Sequence, residues 1–599
     1  AKQLANQLKF KSYVKVLPPF ATTVFKNVVA DFAMEIIQSF TEADCLIAYK
    51  SNQYKCPVLS NDSDFFIYNL KYGYIPFDTL CLSKRDLQNL CCRSEFSNDK
   101  AVSCMIYSVE NLLKLFPGLD AGLLPFFATL TGNDYTFKHI SKPQVKRKSK
   151  LRATNNHCLM IGLLSFLCNK SLNQAIESVL SFIKLDQREG LRSMINNSLI
   201  MYDERRFLVQ TLDELTINSD DKDQIPLKLK LPGWVVDRFE KLRIHPIVIQ
   251  LFTNREVFLP CLIEDPGSHS ILDCCQKINN ATYHLILSFS KSIVEDGQHL
   301  SIIEWGTKNL HQFKREVCLD NNFPFYLPHF NDMGEISVIE RRNYVYRVID
   351  FEEAELQNKL DNFPPNVQLF VLALHYWIVE SEKKKTDAKI LDSLIVSAFL
   401  RMNMAQDSET VQFWNASEFS LKAYSNEYSC KEVFRSYDKL KSSPSDKFLR
   451  TDLWILHELS RFQAVLYSLN LLNAVLMEPF QALRIENLYS GTSIYSFIKS
   501  SENCCDFMTS LSKIGICGSH CGLLSKLVNF RDSLLDILPK NLFRSCDNVM
   551  KKNKRSSLKS KMETRRLTAN KFDVLFQHAH LRFEYVYRLS LRTKTFLID

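Results

Sequence analysis

The sequence predicts an α/β unit with a parallel sheet in its first 140 residues, followed by a large, mainly α-helical region. Two observations favour the α/β unit: strand, helix and strand follow one another through short loops over residues 34–68, and acidic side chains follow two successive strand ends. Long segments with apolar residues at helical spacing predict the helical region. Those segments are residues 159–167, 175–185, 367–380 and 453–477.

The elements of the α/β unit follow from the apolar pattern. Residues 24–32 have helical spacing and lead into a strand-like run at residues 34–40. After a turn at Thr41, a short helix continues through residues 45–49 and ends near residues 50–52. Residues 56–60 form a compact apolar strand, and a second strand begins at residues 65–68.

Carboxylates come directly after both predicted strand ends. Glu42 and Asp44 follow the first strand, and Asp62 and Asp64 follow the next. Ligands of open parallel sheets bind beyond the carboxyl ends of the strands, and side chains two residues apart in extended backbone point the same way. Four converging carboxylates are costly unless cations neutralise them, and hard oxygen ligands suit Mg²⁺ or Mn²⁺. The pattern therefore predicts a two-metal hydrolytic site.

The same residues also have a purely structural interpretation. Thr41 and Asp44 have the spacing of a capping box, with Glu42 favoured by the helix dipole. Residues 61–64 consist of types that favour turns. Further along, Asp134 follows an apolar helix at residues 123–130, within the sequence Gly-Asn-Asp-Tyr. Asn and Asp are also common at helix ends. Asp134 is therefore a candidate site residue only because it follows the two earlier acidic clusters in this order along the chain.

Basic residues are concentrated in two segments of a chain whose formal net charge is +9. The first segment contains Lys142, Lys146, Arg147, Lys148, Lys150 and Arg152, and the second runs through residues 551–566. Such segments are typical of phosphate contacts or nuclear import, and the alternative is a solvated loop. We expect the first segment to bind nucleic acid and the protein to be nuclear, with some in the cytoplasm.

Bulk composition narrows the class of protein. The chain has 599 residues, of which 46% are hydrophobic, and a central apolar run at residues 369–379 is too short to cross a bilayer. We therefore expect no membrane partner. The 18 cysteines are scattered, which favours a reducing compartment. One group of four cysteines and a histidine lacks the paired spacing of zinc ligands, and its cysteines are expected to be reduced: Cys504, Cys505, Cys517, His520 and Cys521. His375 and His457 are expected to be core histidines.

Three motifs in this order resemble those of flap endonuclease-like nucleases: Glu-Ala-Asp at residues 42–44, Asp-x-Asp at 62–64 and Gly-x-Asp-Tyr at 132–135. Residues 56–70, 242–266 and 487–492 are most similar to the asteroid branch of that superfamily. The resemblance implies a FEN/PIN-like nuclease domain of the XPG type. It also implies that Glu42, Asp44, Asp62, Asp64 and Asp134 are catalytic metal ligands or adjacent carboxylates.

The resemblance implies that the protein is a hydrolase. It would be a divalent-metal-dependent DNA endonuclease that acts in repair on single-stranded, overhanging or branched DNA. Two further aspartates of the family's N-terminal strands have no counterpart here, so we expect the N-terminal segment of the fold to be missing and the two-metal site to be incomplete. A Gly-rich helix-hairpin is also missing after Asp134. The alternative is a non-catalytic scaffold with a role in EGF-type receptor signalling, binding protein partners through the helical region.

With that family in view, the chain divides into six predicted parts. They are residues 1–140 for the C-terminal part of the nuclease-like domain, 141–157 for a basic linker, 158–220 for a helical segment, 221–545 for a mainly helical asteroid-type region, 546–566 for a basic segment and 567–599 for a C-terminal segment.

Overall fold

The computed structural model divides the protein into two compact units. It describes residues 19–40, 43–80, 104–131, 156–202, 231–265, 268–288, 301–308, 311–319, 330–381, 388–405, 408–422, 428–440, 453–504, 506–516 and 521–539. The smaller unit comprises the described residues of Gln38–Leu231, and the larger unit those of Ala1–Ile37 and Pro232–Asp599. The six predicted parts of the chain stay a prediction.

The predicted helix near the start of the chain is confirmed, and the strand predicted after it is wrong. Helix α1 spans Ala21–Asp31 and belongs to the larger unit. Ala33 then takes a left-handed φ of 52°, and residues 34–40 form no strand. Met34 and Ile37 are 61% and 46% exposed, and no strand among the described residues pairs with them. An apolar pattern without a hydrogen-bonded neighbour does not make a strand.

The smaller unit begins with helix α2 at Ala43–Tyr54, which extends beyond the predicted end near residues 50–52. Strand β1 spans Val58–Ser60 and pairs in parallel with β2 at Tyr74–Pro76, with Val58 opposite Tyr74. The predicted strand–helix–strand order from residue 34 to residue 68 is therefore wrong at both outer strands. At residues 65–68 there is instead a 3-10 turn, Ser63–Phe66.

Helices complete the smaller unit, as the apolar spacing predicts for residues 123–130, 159–167 and 175–185. They are α3 (Val109–Leu115), α4 (Leu124–Thr131), α5 (Asn156–Leu167), α6 (Leu172–Ser181) and α7 (Leu185–Met201), with short 3-10 turns at Phe77–Thr79 and Ala121–Leu123. The fully buried hydroxyls of Thr129 on α4 and Ser198 on α7 lie 2.9 Å apart. This contact fixes α7 against α4, since a buried hydroxyl needs a partner.

The larger unit is mainly helical, as predicted. Its further helices are α8 (Gly233–Glu240), α9 (Pro246–Asn254), α10 (Gln276–Ser288), α11 (Val338–Val348), α12 (Ala354–Asp361), α13 (Pro365–Ser381), α14 (Ala388–Met404), α15 (Ser408–Asn415), α16 (Tyr428–Lys439), α17 (Leu453–Val475), α18 (Gly491–Ser500), α19 (Phe507–Lys513) and α20 (Cys521–Leu535). Three 3-10 turns, Ile271–Cys275, Phe330–Asp332 and Ile485–Asn487, join them. Each described helix falls short of the length and apolarity that a membrane crossing requires.

A three-stranded sheet in the larger unit was not predicted from the sequence. Strands β3 (Glu256–Phe258) and β4 (Ser301–Lys308) are parallel, and β5 (His311–Cys318) is antiparallel to β4. Glu304 on β4 is 1% exposed. It accepts hydrogen bonds from the Tyr283 hydroxyl at 2.8 Å and from Arg315 Nε at 2.7 Å, which satisfies the buried carboxylate.

Helices α13 and α17 form the centre of the larger core, and both predicted core histidines are confirmed there. His457 Nδ1 accepts a hydrogen bond from the Asp265 N–H at 3.1 Å. His375 Nδ1 lies 3.4 Å from the Ile537 carbonyl oxygen, and its ring packs edge-on against Phe351. Of the cysteine group, Cys504 is buried and reduced, while the side chains of Cys505, Cys517, His520 and Cys521 lie outside the described part.

Replacing His375 with glutamine should reduce the sensitivity of the larger unit to acid. Burial lowers the pKa of His375 to about 4, below the ordinary value of 6.5. As the pH falls from about 7 towards 4, the unfolded chain takes up a proton that the folded chain does not, so stability is lost over that range. His375 accounts for roughly 3 kcal/mol of that loss at most. Urea unfolding followed by tryptophan fluorescence at pH 7 and pH 4.5 measures the difference.

The matched control is His269→Gln, because His269 is exposed in the same unit. We expect this control to keep the acid sensitivity of the wild-type protein. Equal acid sensitivity in His375→Gln and wild type would refute the assignment of His375 as a buried neutral histidine.

Candidate metal centre

The chain leaves β1 through a turn that its own side chains hold. The Asp62 N–H donates to Ser60 Oγ at 3.0 Å, and the Asp64 N–H donates to Asp62 Oδ1 at 3.0 Å. Asp62 is thereby the N-cap of the 3-10 turn Ser63–Phe66, and Asp64 lies in its first turn. Short polar side chains of this kind compete with strand hydrogen bonding and favour turns. This local competition explains why the strand predicted at residues 65–68 does not form.

Phe65 anchors the turn to the core. It is 1% exposed and contacts the rings of Tyr68 and Tyr74 at centroid distances of 5.9 and 5.8 Å. Val58 of β1 belongs to the same buried cluster. Burying Phe65 turns Asp64 and Asp62 towards the surface, where Asp64 is partly exposed and Asp62 exposed.

Asp44 reaches the same place from α2. It lies in the first turn of that helix, and the next residue, Cys45, is buried with Ala48 in the cluster that holds Phe65. A carboxylate in the first helical turn is also favoured by the helix dipole. The packing of α2 therefore fixes the position of Asp44 beside the turn after β1.

Three of the predicted site residues come together. Asp44, Asp62 and Asp64 each offer one carboxylate oxygen, and these oxygens all lie within 4.8 Å of one another. The predicted convergence of these three side chains is thus observed, although Asp62 and Asp64 converge through a 3-10 turn and not through extended backbone. Glu42, Asp134 and the basic residues Lys142, Lys146, Arg147, Lys148, Lys150 and Arg152 lie outside the described residues.

A buried tyrosine that sequence reasoning missed completes the centre. The Tyr202 hydroxyl donates to Asp64 Oδ2 at 3.0 Å, and Tyr202 is 7% exposed. Tyr202 is the C-cap of α7, which the Thr129–Ser198 contact holds against α4. A separation of 138 residues and an ordinary helix end give no sequence signal for this contact.

A second carboxylate-bearing turn lies next to the first. Asn61 Nδ2 donates to Asp78 Oδ1 at 3.2 Å, and the Asp78 N–H donates to Asn61 Oδ1 at 3.1 Å. Tyr74 lies beneath and donates its hydroxyl to the Ser60 carbonyl at 3.1 Å. Burial raises the pKa of Tyr74, and the charges of Asp62 and Asp78 raise it further. Tyr74 therefore keeps its proton at neutral pH and remains a donor that holds the end of β1.

The donor set fits a hard divalent cation. All three ligand groups are carboxylates, they come from the ends of two different elements, and the most exposed of them, Asp62, leaves room for the water that Mg²⁺ retains. Negative charge gathered in this way is stabilised by a cation. Three carboxylates suffice for one ion, and a second ion would need further donors.

A family model for the asteroid N-terminal domain matches residues 366–536, within the larger unit. The human single-strand DNA endonuclease ASTE1 is 24% identical, over 82% of this chain and 70% of its own length. The Danio rerio protein of that name is 22% identical, over 81% of this chain and 65% of its own length.

The Drosophila melanogaster protein asteroid is 22% identical, over 82% of this chain and 76% of its own length. A share of 82% is more than the larger unit alone contains, so the similarity extends into the smaller unit. No solved structure matches the chain. The family-model match, together with relatives that cover most of the sequence, supports an asteroid family protein.

Proposed function

We propose that this protein is a divalent-metal-dependent, structure-selective DNA endonuclease with a FEN/PIN-like fold, acting on single-stranded, overhanging or branched DNA in repair. The observation that supports the proposal is the convergence of Asp44, Asp62 and Asp64 within 4.8 Å. The relatives support DNA as the substrate, since those from human and Danio rerio are named single-strand DNA endonucleases.

In this proposal Asp44, Asp62 and Asp64 hold Mg²⁺ or Mn²⁺, and Glu42 and Asp134 supply further donors to a two-metal site that we expect to be incomplete. When bound, the ions supply Lewis-acid stabilisation of the phosphoryl oxygens and a water of lowered pKa. Without a cation, the three carboxylates repel a DNA phosphate, so these side chains make substrate binding depend on the metal. Lys142, Lys146, Arg147, Lys148, Lys150 and Arg152 are proposed to contact the DNA backbone.

Tyr202 has a positioning role within the same proposal. Its hydroxyl donates to Asp64 Oδ2, which orients this carboxylate beside Asp44 and Asp62. An orienting partner of this kind is typical of side chains that bind a metal.

The second candidate is a non-catalytic scaffold of the same family. The hydrogen bonds from the Asp62 N–H to Ser60 and from the Asp64 N–H to Asp62 favour it, because a turn and a cap need no metal. A scaffold would present the helical region to protein partners, and receptor signalling of the EGF type is the role proposed for it.

The double substitution Asp62→Asn/Asp64→Asn should abolish cleavage. An amide is a weaker ligand for a hard cation than a carboxylate, and metal-ion stabilisation of a transition state is worth several kcal/mol, so we expect a loss of about two orders of magnitude or more. The assay measures Mn²⁺-dependent cutting of labelled single-stranded, overhang and flap DNA. Asp186→Asn, an exposed position in the first turn of α7, is the matched control and should cut normally.

Undiminished cutting by the double substitution would overturn the assignment of Asp62 and Asp64. An absence of cutting on all three DNA substrates, both by the folded wild-type protein and by a version to which the family's two N-terminal aspartate-bearing strands are added, would favour the scaffold.

Tyr202→Phe should weaken Mn²⁺ binding by about 10- to 100-fold, the effect expected when a ligand loses its orienting partner. The readout is the rise of the unfolding temperature with Mn²⁺ concentration, because an ion that binds only the folded protein stabilises it. Tyr72→Phe, at a position 40% exposed in the same unit, is the control. If Tyr202→Phe and wild type give the same Mn²⁺ titration, Tyr202 contributes to the packing of the core and not to metal binding.

Nuclear residence is proposed from the basic residues 551–555. Deleting these five residues should shift a fluorescently tagged protein from the nucleus to the cytoplasm, because importin-type recognition needs clustered lysine and arginine. Deleting residues 588–592, which contain two arginines, controls for truncation in the same part of the chain. An unchanged distribution after the first deletion would argue against this signal.

A further inference from the structure

Helix α1 has little stability of its own. Five of its 11 residues are β-branched, which lowers helix propensity: Thr22, Thr23, Val24, Val28 and Val29. Its N-cap residue, Phe20, provides no side-chain hydrogen bond, and α1 has no acidic residue in its first turn and no basic residue in its last. An isolated helix of this length is marginal in water, so α1 depends on its contacts with the rest of the larger unit.

Those contacts bury little of α1. None of its residues is buried, and a cavity of about 320 Å³ lies between the face that carries Thr23, Lys26 and Ala30 and the C-terminal part of α17. A helix beside a cavity removes less apolar surface from water than a closely packed helix, and it is stabilised less. The apolar anchor is Phe20, which is 4% exposed and whose ring centroid lies 5.8 Å from that of Tyr467.

Charged and polar side chains hold the C-terminal half of α1. Arg484 donates two hydrogen bonds to Asp31, at 3.0 and 2.7 Å. Arg484 Nε also donates to Glu486 at 2.8 Å, and Glu486 accepts a further hydrogen bond from Asn27 Nδ2 at 3.2 Å. These four side chains form what we call the α1 clamp. The side chain of Asp31 is 46% exposed, so solvent and salt weaken its pairing with Arg484.

The place of α1 in the chain gives its docking a consequence. The smaller unit, Gln38–Leu231, is inserted in the chain between α1 and the rest of the larger unit. The backbone therefore connects the two units at two places, one after α1 and one near residues 231–232. When α1 is docked, both connections are fixed to the larger unit, and when α1 is detached, only the second is.

We propose that α1 is a strap that docks on the larger unit and detaches from it, and that Phe20 and the α1 clamp set the balance between the two states. Detachment unfolds α1, because the helix is not stable alone. Local opening of this kind occurs in the elements of a fold with the fewest buried contacts. Since the smaller unit carries Asp44, Asp62 and Asp64, docking of α1 controls the freedom of the unit that bears the candidate metal centre.

Hydrogen–deuterium exchange of the whole chain, followed by mass spectrometry of its peptides, tests the proposal. It uses neither metal nor DNA, so its outcome is independent of the proposed endonuclease. The reference is α18, which has 10 residues, also lacks a side-chain cap, lies in the same unit and has four buried residues. We expect the amides of α1 to exchange about tenfold faster or more than those of α18, after correction for intrinsic rates. Added salt should widen the difference, because it screens the α1 clamp.

Arg484→Gln and Phe20→Ala should each accelerate the exchange of α1 while α17 stays unchanged. We expect roughly a fivefold effect from the lost ion pair and roughly tenfold or more from the lost anchor. The two changes act at opposite ends of α1, so each tests the strap if the other disturbs the unit. As controls, Arg192→Gln breaks an arginine–glutamate pair of the smaller unit, and Phe182→Ala removes a ring that is 42% exposed there. Both should leave α1 unchanged.

Exchange of α1 as slow as that of α18 would overturn the proposal, because α1 would then stay docked. Equal rates for α1 in wild type, Arg484→Gln and Phe20→Ala would also overturn it, because these contacts would then not set the balance.

Discussion

Mutual repulsion among Asp44, Asp62 and Asp64 is the constraint on which the candidate centre depends. Like charges held within 4.8 Å would separate unless the backbone that bears them were fixed. Two of the three carboxylates are directly adjacent to a buried anchor: Cys45 is buried beside Asp44, and Phe65 is buried beside Asp64. The apolar cluster of the smaller unit thus stabilises a charge arrangement that solvent alone would disperse.

This constraint explains which parts of the site the sequence could predict. Asp62 and Asp64 were predictable because a short apolar strand followed by Asn-Asp-Ser-Asp fixes a turn at a strand end, whichever backbone geometry the turn adopts. The geometry itself was mispredicted. The apolar residues at 65–68 suggested a strand, but the Asp64 N–H bonds to Asp62 Oδ1 and draws the chain into a 3-10 turn, so Phe65 fills the core from that turn.

Tyr202 and the sheet of the larger unit could not be predicted for a different reason. Both depend on contacts between distant segments: Tyr202 meets Asp64 across 138 residues, and β3 pairs with β4 across a wide sequence gap. Glu304 illustrates the difficulty, because a charged residue in a strand pattern indicates an exposed face. Hydrogen bonds from Tyr283 and Arg315 compensate for the desolvation of its carboxylate, and the sequence pattern does not reveal these partners. The helices α13 and α17, in contrast, follow from long apolar segments whose interpretation needs no distant partner.

The structural and catalytic interpretations of the aspartates are compatible. A carboxylate has two oxygens with about four acceptor positions, so the N-cap bond to Asp62 Oδ1 leaves capacity for a cation. A cap and a turn, however, account only for Ser60, Asp62 and the Asp64 N–H. They do not account for the buried Tyr202 hydroxyl directed at Asp64 Oδ2, where α7 orients a carboxylate whose own local turn does not need it. A buried hydroxyl needs a partner in any case, and an oriented carboxylate beside two others also suits a metal ion, which is why we propose a positioning role for Tyr202.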